Sequence, residues 1–346
     1  MNTLPRIALA LGIGAAGGGL FYLLGLPLPW MLGALFATMV ASVANAPILG
    51  PSRVRPAVVA VIGVLLGSRF TPDILADAEA WIATVAILLV YVIAVALVVV
   101  PFYRFAGKFD WVTAYFAGMP GGLTEMIEIG EASGAKPAPI ILAHSLRIVI
   151  TIALIAFWFR IVEGHDVGAS ASRAEAPLTW IDGLLLLGSA VIGSLIGLKL
   201  KFPAPTFLGP LLVSAVLHLA GTTESAPPAL LVNTAQVLLG TVLGCRFLGI
   251  SPKTLVPAAA LALGATTLSL GLALLAGLAM AHLAGIGLDQ ALLALAPGGL
   301  TEMGLIALAI HADVAFVALH HVTRILIVIV LAPLTFRLLL SRRPQP

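Results

Sequence analysis

An all-α polytopic membrane protein, built of two inverted repeats of about five transmembrane helices plus one re-entrant or broken helix each, is the fold class this sequence predicts. Three observations lead there. The side chains are 60% hydrophobic and only 10% charged, against about 25% charged in an ordinary soluble domain, so the chain cannot cover a core of its own with a polar shell. The second half repeats the first. Each half also carries a Pro-Gly-Gly break inside an apolar segment.

Composition narrows the function classes. A net charge of +3 without a basic cluster or aromatic-interleaved patch gives no footprint for direct nucleic-acid binding. The scattered Lys and Arg read instead as topology signals in a lipid bilayer. Cys245 is the single cysteine, which removes intrachain disulfides and cysteine-based metal sites. No cofactor and no metal are expected. The run 7–25 follows Arg6 in the manner of a secretory signal, but it has a counterpart later in the chain and is read as a retained span.

The repeat has a measurable period. Pro120-Gly121-Gly122-Leu123-Thr124-Glu125-Met126 returns as Pro297-Gly298-Gly299-Leu300-Thr301-Glu302-Met303, an offset of 177. Gly67-Ser68-Arg69-Phe70 returns as Gly244-Cys245-Arg246-Phe247, and His144-x-x-Arg147 as His321-x-x-Arg324, at the same offset. Leu26-Pro27-Leu28-Pro29 matches Phe202-Pro203-Ala204-Pro205 at 176. Four anchors at one spacing mark an internal duplication of the kind transporters carry. The halves are 1–162 and 178–346, joined by the polar stretch 163–177, a linker by composition.

Because about 20 apolar residues cross the hydrocarbon core, spans are expected at 7–25, 28–49, 56–70, 80–102 and 138–161 in the first copy. The second gives 180–198, 206–220, 228–249, 255–284 and 314–339. The segments 109–132 and 288–311 hold the breaks. A helix continued through Pro-Gly-Gly would lose about 3 kcal/mol for Pro and about 1 kcal/mol for each Gly. Two half-helices are expected instead, with the free N–H groups and positive dipole end of the second half at the break, a ready site for an anion.

Lys and Arg decide whether these segments cross. With re-entrant hairpins and the N-terminus inside, thirteen cations fall on the cytoplasmic face and only Arg69, Arg160 and Arg173 outside. With crossing segments the division is ten to six. The first arrangement obeys the positive-inside rule better, so the second copy is read as inverted and both termini as cytoplasmic.

Arg147 and Arg324 stand deep in apolar helices, where an ionisable group is costly and a functional role is the default reading. His144 and His321 lie three residues before them, on the same helix face, and Glu125 and Glu302 are the opposite charges expected to meet them. A structural ion pair gluing the repeats is the competing reading. The expected site has Gly121, Gly122, Thr124, Gly298, Gly299, Thr301, Arg147 and Arg324 binding solute. Glu125, Glu302, His144 and His321 would couple it to protons or ions. His311 and His320 lack partners in the first copy, and Glu128 and Glu131 lack them in the second.

The duplicated PGGLTEM, the LPLPW turn at 26–30 and the GSRF and GCRF pair resemble the bacterial membrane AbrB-duplication family over nearly the whole chain. Members are catalogued both as ammonia monooxygenases and as membrane regulators of gene expression. The resemblance implies a multi-pass protein of the bacterial inner membrane. The residues favour a secondary transporter of a small polar or anionic solute, with an oligomer possible. The alternatives are a membrane sensor acting on expression indirectly and a membrane monooxygenase, and His311, Asp313, His320 and His321 do not have the spacing of a three-ligand metal face. No GxxxxGK[ST] motif occurs, so uphill transport would run on an ion gradient.

Overall fold

The computed structural model describes residues 3–70, 78–165, 167 and 178–339, and among them every regular element is helical. The first copy supplies α1 (Thr3–Leu23), α2 (Pro29–Val43), α3 (Arg55–Gly67), α4 (Ala78–Phe105), α5 (Trp111–Gly118), α6 (Leu123–Ala132) and α7 (Pro137–Ile161). The second supplies α8 (Trp180–Lys199), α9 (Pro205–Leu219), α10 (Ala229–Gly244), α11 (Pro252–Ala284), α12 (Leu288–Leu295), α13 (Leu300–Ala309) and α14 (Val314–Leu339). Long, short, short, long, two half-helices, long is the order in both, except that α10 with its following turn reaches 19 residues.

Among the described residues, seven helices are long and apolar enough to cross a bilayer: α1, α4, α7, α8, α10 with its following turn, α11 and α14. The protein is an all-α, multi-pass membrane protein. Expected spans 28–49, 56–70 and 206–220 correspond to the shorter helices α2, α3 and α9, of 15, 13 and 15 residues. These reach about 20–22 Å at 1.5 Å per residue, against about 30 Å of hydrocarbon. The shortening has local causes. Leu28 and Ala204, which precede α2 and α9, take left-handed φ of 43° and 48° before a proline at the first helical position, so neither helix can be extended backwards. Past α2, Asn45 at φ 57° and then Pro47 and Pro51 stop it; past α9, Gly221 at φ 66° does the same.

The chain divides into two compact units, each drawing on both copies. One comprises 1–76, 153–252 and 304–315, the other 77–152, 253–303 and 316–346.

Within the first unit the copies interlock reciprocally. Gly63 of α3 lies against the Phe207 carbonyl of α9, and Gly240 of α10 against the Met31 carbonyl of α2. Gly67 meets Leu211 O and Gly244 meets Leu35 O in the same fashion. Each contact is the other's counterpart at 176 or 177 residues, the i-to-j, j-to-i signature of a two-fold relation. Inside each copy Gly33 presses on the Gly17 backbone and Gly209 on the Gly193 backbone. Glycine is required there because no Cβ fits between helices that close.

The second unit holds α4–α6, most of α7, α11, α12 and α14, and it contains both breaks. Tyr115 of α5 donates to Ala332 O of α14 at 2.9 Å and pairs with Thr335. Tyr91 of α4 reaches Ser269 O of α11 at 3.5 Å.

Candidate functional site

Asp110 caps α5 by accepting from Thr113 N at 2.8 Å. Eight residues later the helix ends, with Met119 and Gly122 extended (ψ 137° and 144°) around Pro120 and Gly121. α6 begins at Leu123, so the carbonyl end of one half-helix faces the N–H end of the next across four residues. The second copy repeats this between Leu295 and Leu300, with Ala296 extended at ψ 135°.

One helix passes each break and delivers a buried His-Arg pair to its carbonyl end. Arg147 Nη1 donates to Met119 O at 2.9 Å, and Nη2 donates to Gly121 O at 3.3 Å and to His144 Nδ1 at 3.0 Å. Arg324 Nη1 donates to Ala296 O and, at 3.4 Å, to Leu295 O. Its Nη2 donates to Gly298 O at 3.2 Å and His321 Nδ1 at 3.1 Å. His144 Nε2 bonds Phe116 O at 2.8 Å and His321 Nε2 bonds Leu293 O at 2.9 Å. All four side chains are buried.

Two consequences follow from donor chemistry. A guanidinium only donates, so each His Nδ1 accepts and the ring proton sits on Nε2, bonded to the carbonyl. Both ring nitrogens are thereby engaged, leaving no lone pair for a metal or a relayed proton while the Arg bond lasts. The arginines, in turn, place a cation on the negative end of α5 or α12 and satisfy backbone carbonyls that the break leaves without helical partners.

The glutamates sit at the other end. A Cβ on Gly122 would fall on Glu125 Oε2, and one on Gly299 would fall on Glu302 Oε2, so each carboxylate folds back over the glycine that opens its own half-helix. That is the third helical position, where a carboxylate compensates the N-terminal dipole. The sequence led to the expectation that the carboxylates would meet Arg147 and Arg324; the guanidinium hydrogen bonds described above go to carbonyls and to His. Glu302 is buried, Glu125 and Thr301 half-buried, and Thr124 exposed. Gly298 is buried while Gly121, Gly122 and Gly299 are half-buried.

The copies converge. The two guanidiniums lie within electrostatic range of each other and of the Tyr91 phenol, and Tyr103 lies within range of Arg147. Gly121 packs on Val328 of α14. Sequence reading missed both tyrosines, although two of the four in the chain fall in the single apolar helix α4. The backbone acceptors carried no sequence signal at all. Of the residues weighed as a metal set, Asp313 accepts from Ala315 N at 2.8 Å as a helix cap. His320 spends its nitrogens on Phe316 O at 2.8 Å and Thr84 Oγ1 at 2.9 Å.

Comparison with known proteins gives a family and two relatives. The family described as transition state regulatory protein AbrB matches residues 30–340. The uncharacterized protein YhjN of Bacillus subtilis (strain 168) is 28% identical over 364 aligned positions, covering 95% of this chain and 92% of the relative. A protein of Escherichia coli (strain K12) named as a candidate regulator, AbrB, is 26% identical over 329 positions, covering 92% of each.

Proposed function

The chain belongs to the AbrB family, and on that premise we propose that it is a secondary transporter of a small polar or anionic solute in the bacterial inner membrane. Its termini are cytoplasmic and the second repeat is inverted. The observation that carries this reading is the pair of broken helices, each with a buried arginine on its carbonyl end and the N-terminal end of a second half-helix on the other side. Broken helices at a repeat interface are how inverted-repeat carriers build a site near mid-membrane, with half-helix N-termini facing an anionic group.

Solute is held by the N–H groups and hydroxyls at Leu123-Thr124 and Leu300-Thr301, with Arg147 and Arg324 fixing the backbone shape and supplying positive field. Coupling falls to Glu125 and Glu302, the carboxylates folded over the start of the second half-helices. His144 and His321 orient the arginines rather than relay protons, for the tautomer reason above.

The names of the E. coli relative and of the family favour a second reading, a membrane sensor whose occupancy alters expression indirectly. Purified protein in liposomes separates the two. Transport predicts pH-driven accumulation of a metabolite first found by thermal-shift screening. Glu125→Gln or Glu302→Gln should abolish that accumulation while exchange at equal pH persists. Binding without flux would assign the sensor reading, and accumulation unchanged in both single mutants and the double mutant would return the glutamates to a purely structural role.

A further inference from the structure

A cavity of about 710 Å³ opens among α4, α7 and α11, within the unit that holds both breaks. That volume falls in the range of small-molecule pockets. Its walls are apolar, and many of the lining residues are small, Pro139, Ala143 and Ala258 among them. Pro139 and Ala143 share a face of α7, and Arg147 is one turn further along that face. Tyr103 also lines the cavity. Its hydroxyl is buried with no hydrogen-bond partner and lies within electrostatic range of Arg147. Arg104, Lys108, Lys136 and Lys253 occur within two positions of lining residues, beside the one carboxylate of Asp110.

The duplication permits a control inside the same molecule. An offset of 177 carries Pro139 to Phe316, Ala143 to His320, and Ala258 and Leu261 back to Trp81 and Thr84. There the space is filled. Trp81 packs edge-on against Phe316 at 6.3 Å, Phe316 lies on His320 at 4.0 Å, and His320 Nε2 bonds Thr84 Oγ1 at 2.9 Å. One copy has built a hollow from small residues and the other a stopper from rings.

We propose that the cavity is the vestibule through which a small organic anion with an apolar body reaches Arg147, and that the Trp81–Phe316–His320 cluster plugs the matching path toward Arg324. This rests on the reading of the breaks as a solute site. The cations that neighbour the lining residues in sequence draw in an anion, the apolar wall accommodates its body, and the buried Tyr103 hydroxyl beyond the wall lies within electrostatic range of the guanidinium.

The test uses the purified full chain in phosphatidylcholine nanodiscs, with 2-naphthoate as probe and 2-naphthamide and acetate as controls. Naphthoate should raise the melting temperature, the two controls should not, and Ala258→Trp, which installs the plug residue, should weaken naphthoate at least ten-fold. To guard against misfolding of that variant, a Leu142→Cys thiol in a Cys245→Ser background should react with an anionic methanethiosulfonate and be protected by naphthoate. Its twin, Leu319→Cys, should stay unreactive. Absence of naphthoate binding, equal binding of the amide, or equal reactivity of the two thiols would overturn the proposal. So would protection of Leu142→Cys by phosphatidylglycerol alone, which would give the cavity to lipid. Naphthoate protection without solute flux would count against transport and leave the vestibule standing. Naphthoate binding that Ala258→Trp leaves unchanged would remove the vestibule and leave the breaks as the site.

Discussion

Replacing Arg324 by Met keeps most of the side chain's length and removes the guanidinium, which isolates what that group does for the second break. The carbonyls of Ala296 and Gly298, a longer contact to Leu295 O, and Nδ1 of His321 lose their donor together. An unsatisfied buried acceptor costs about 1–3 kcal/mol, and with two good carbonyl bonds and the imidazole the gross loss is about 4–6 kcal/mol. Against this, the variant no longer buries a cation, which returns about 2.5–3.5 kcal/mol on membrane-insertion scales. The net expectation is a loss of about 1–3 kcal/mol. Arg324→Lys should fall between wild type and Met, since a point ammonium serves fewer acceptors than a planar fork. Equilibrium unfolding in mixed micelles measures this, and a cycle with His321→Ala should give a coupling of at least about 0.5 kcal/mol for groups in one network. Arg324→Met as stable as wild type would refute the reasoning, for it would mean the carbonyls do not depend on the guanidinium.

Gly33→Ala and Gly209→Ala should each destabilise by about 1–3 kcal/mol as overpacked helix contacts, while Gly19→Ala, with nothing near its absent Cβ, should be neutral or stabilise by up to about 1 kcal/mol; thermal unfolding of the three variants checks the order. At Asp110 burial pushes the carboxyl up, but hydrogen bonds from Thr113 and the nearby Lys136 outweigh it and hold the group below its ordinary value. Its capping stability is therefore present above the ordinary carboxylate value and is lost as pH falls through the depressed one. Asp110→Asn should flatten that acid limb in a stability-against-pH profile. Reporter fusions at Ser170, outside the described residues, and after the C-terminus should land on opposite sides of the membrane, and the same side for both would discard the inverted arrangement.

By itself the sequence determined the membrane class, the duplication and the position of both breaks, since apolar run length, exact motif return and the Pro-Gly-Gly penalty are all local properties. It also placed His144 with Arg147 and His321 with Arg324, because a three-residue spacing fixes a shared helix face wherever the helix goes. What the arginines touch was beyond it. A guanidinium chooses among acceptors by where the backbone runs, and carbonyls of Met119, Gly121, Ala296 and Gly298 leave no trace in side-chain identity, whereas Glu125 and Glu302 are conspicuous and lie at the opposite dipole end. The short span of α2 and α9 depended on left-handed residues at Leu28 and Ala204 that no propensity favours. The hollow beside Tyr103 and the stopper at Trp81 arise from four aligned substitutions, two between α7 and α14 and two between α11 and α4. Each is innocuous alone, and only packing shows that they face one space.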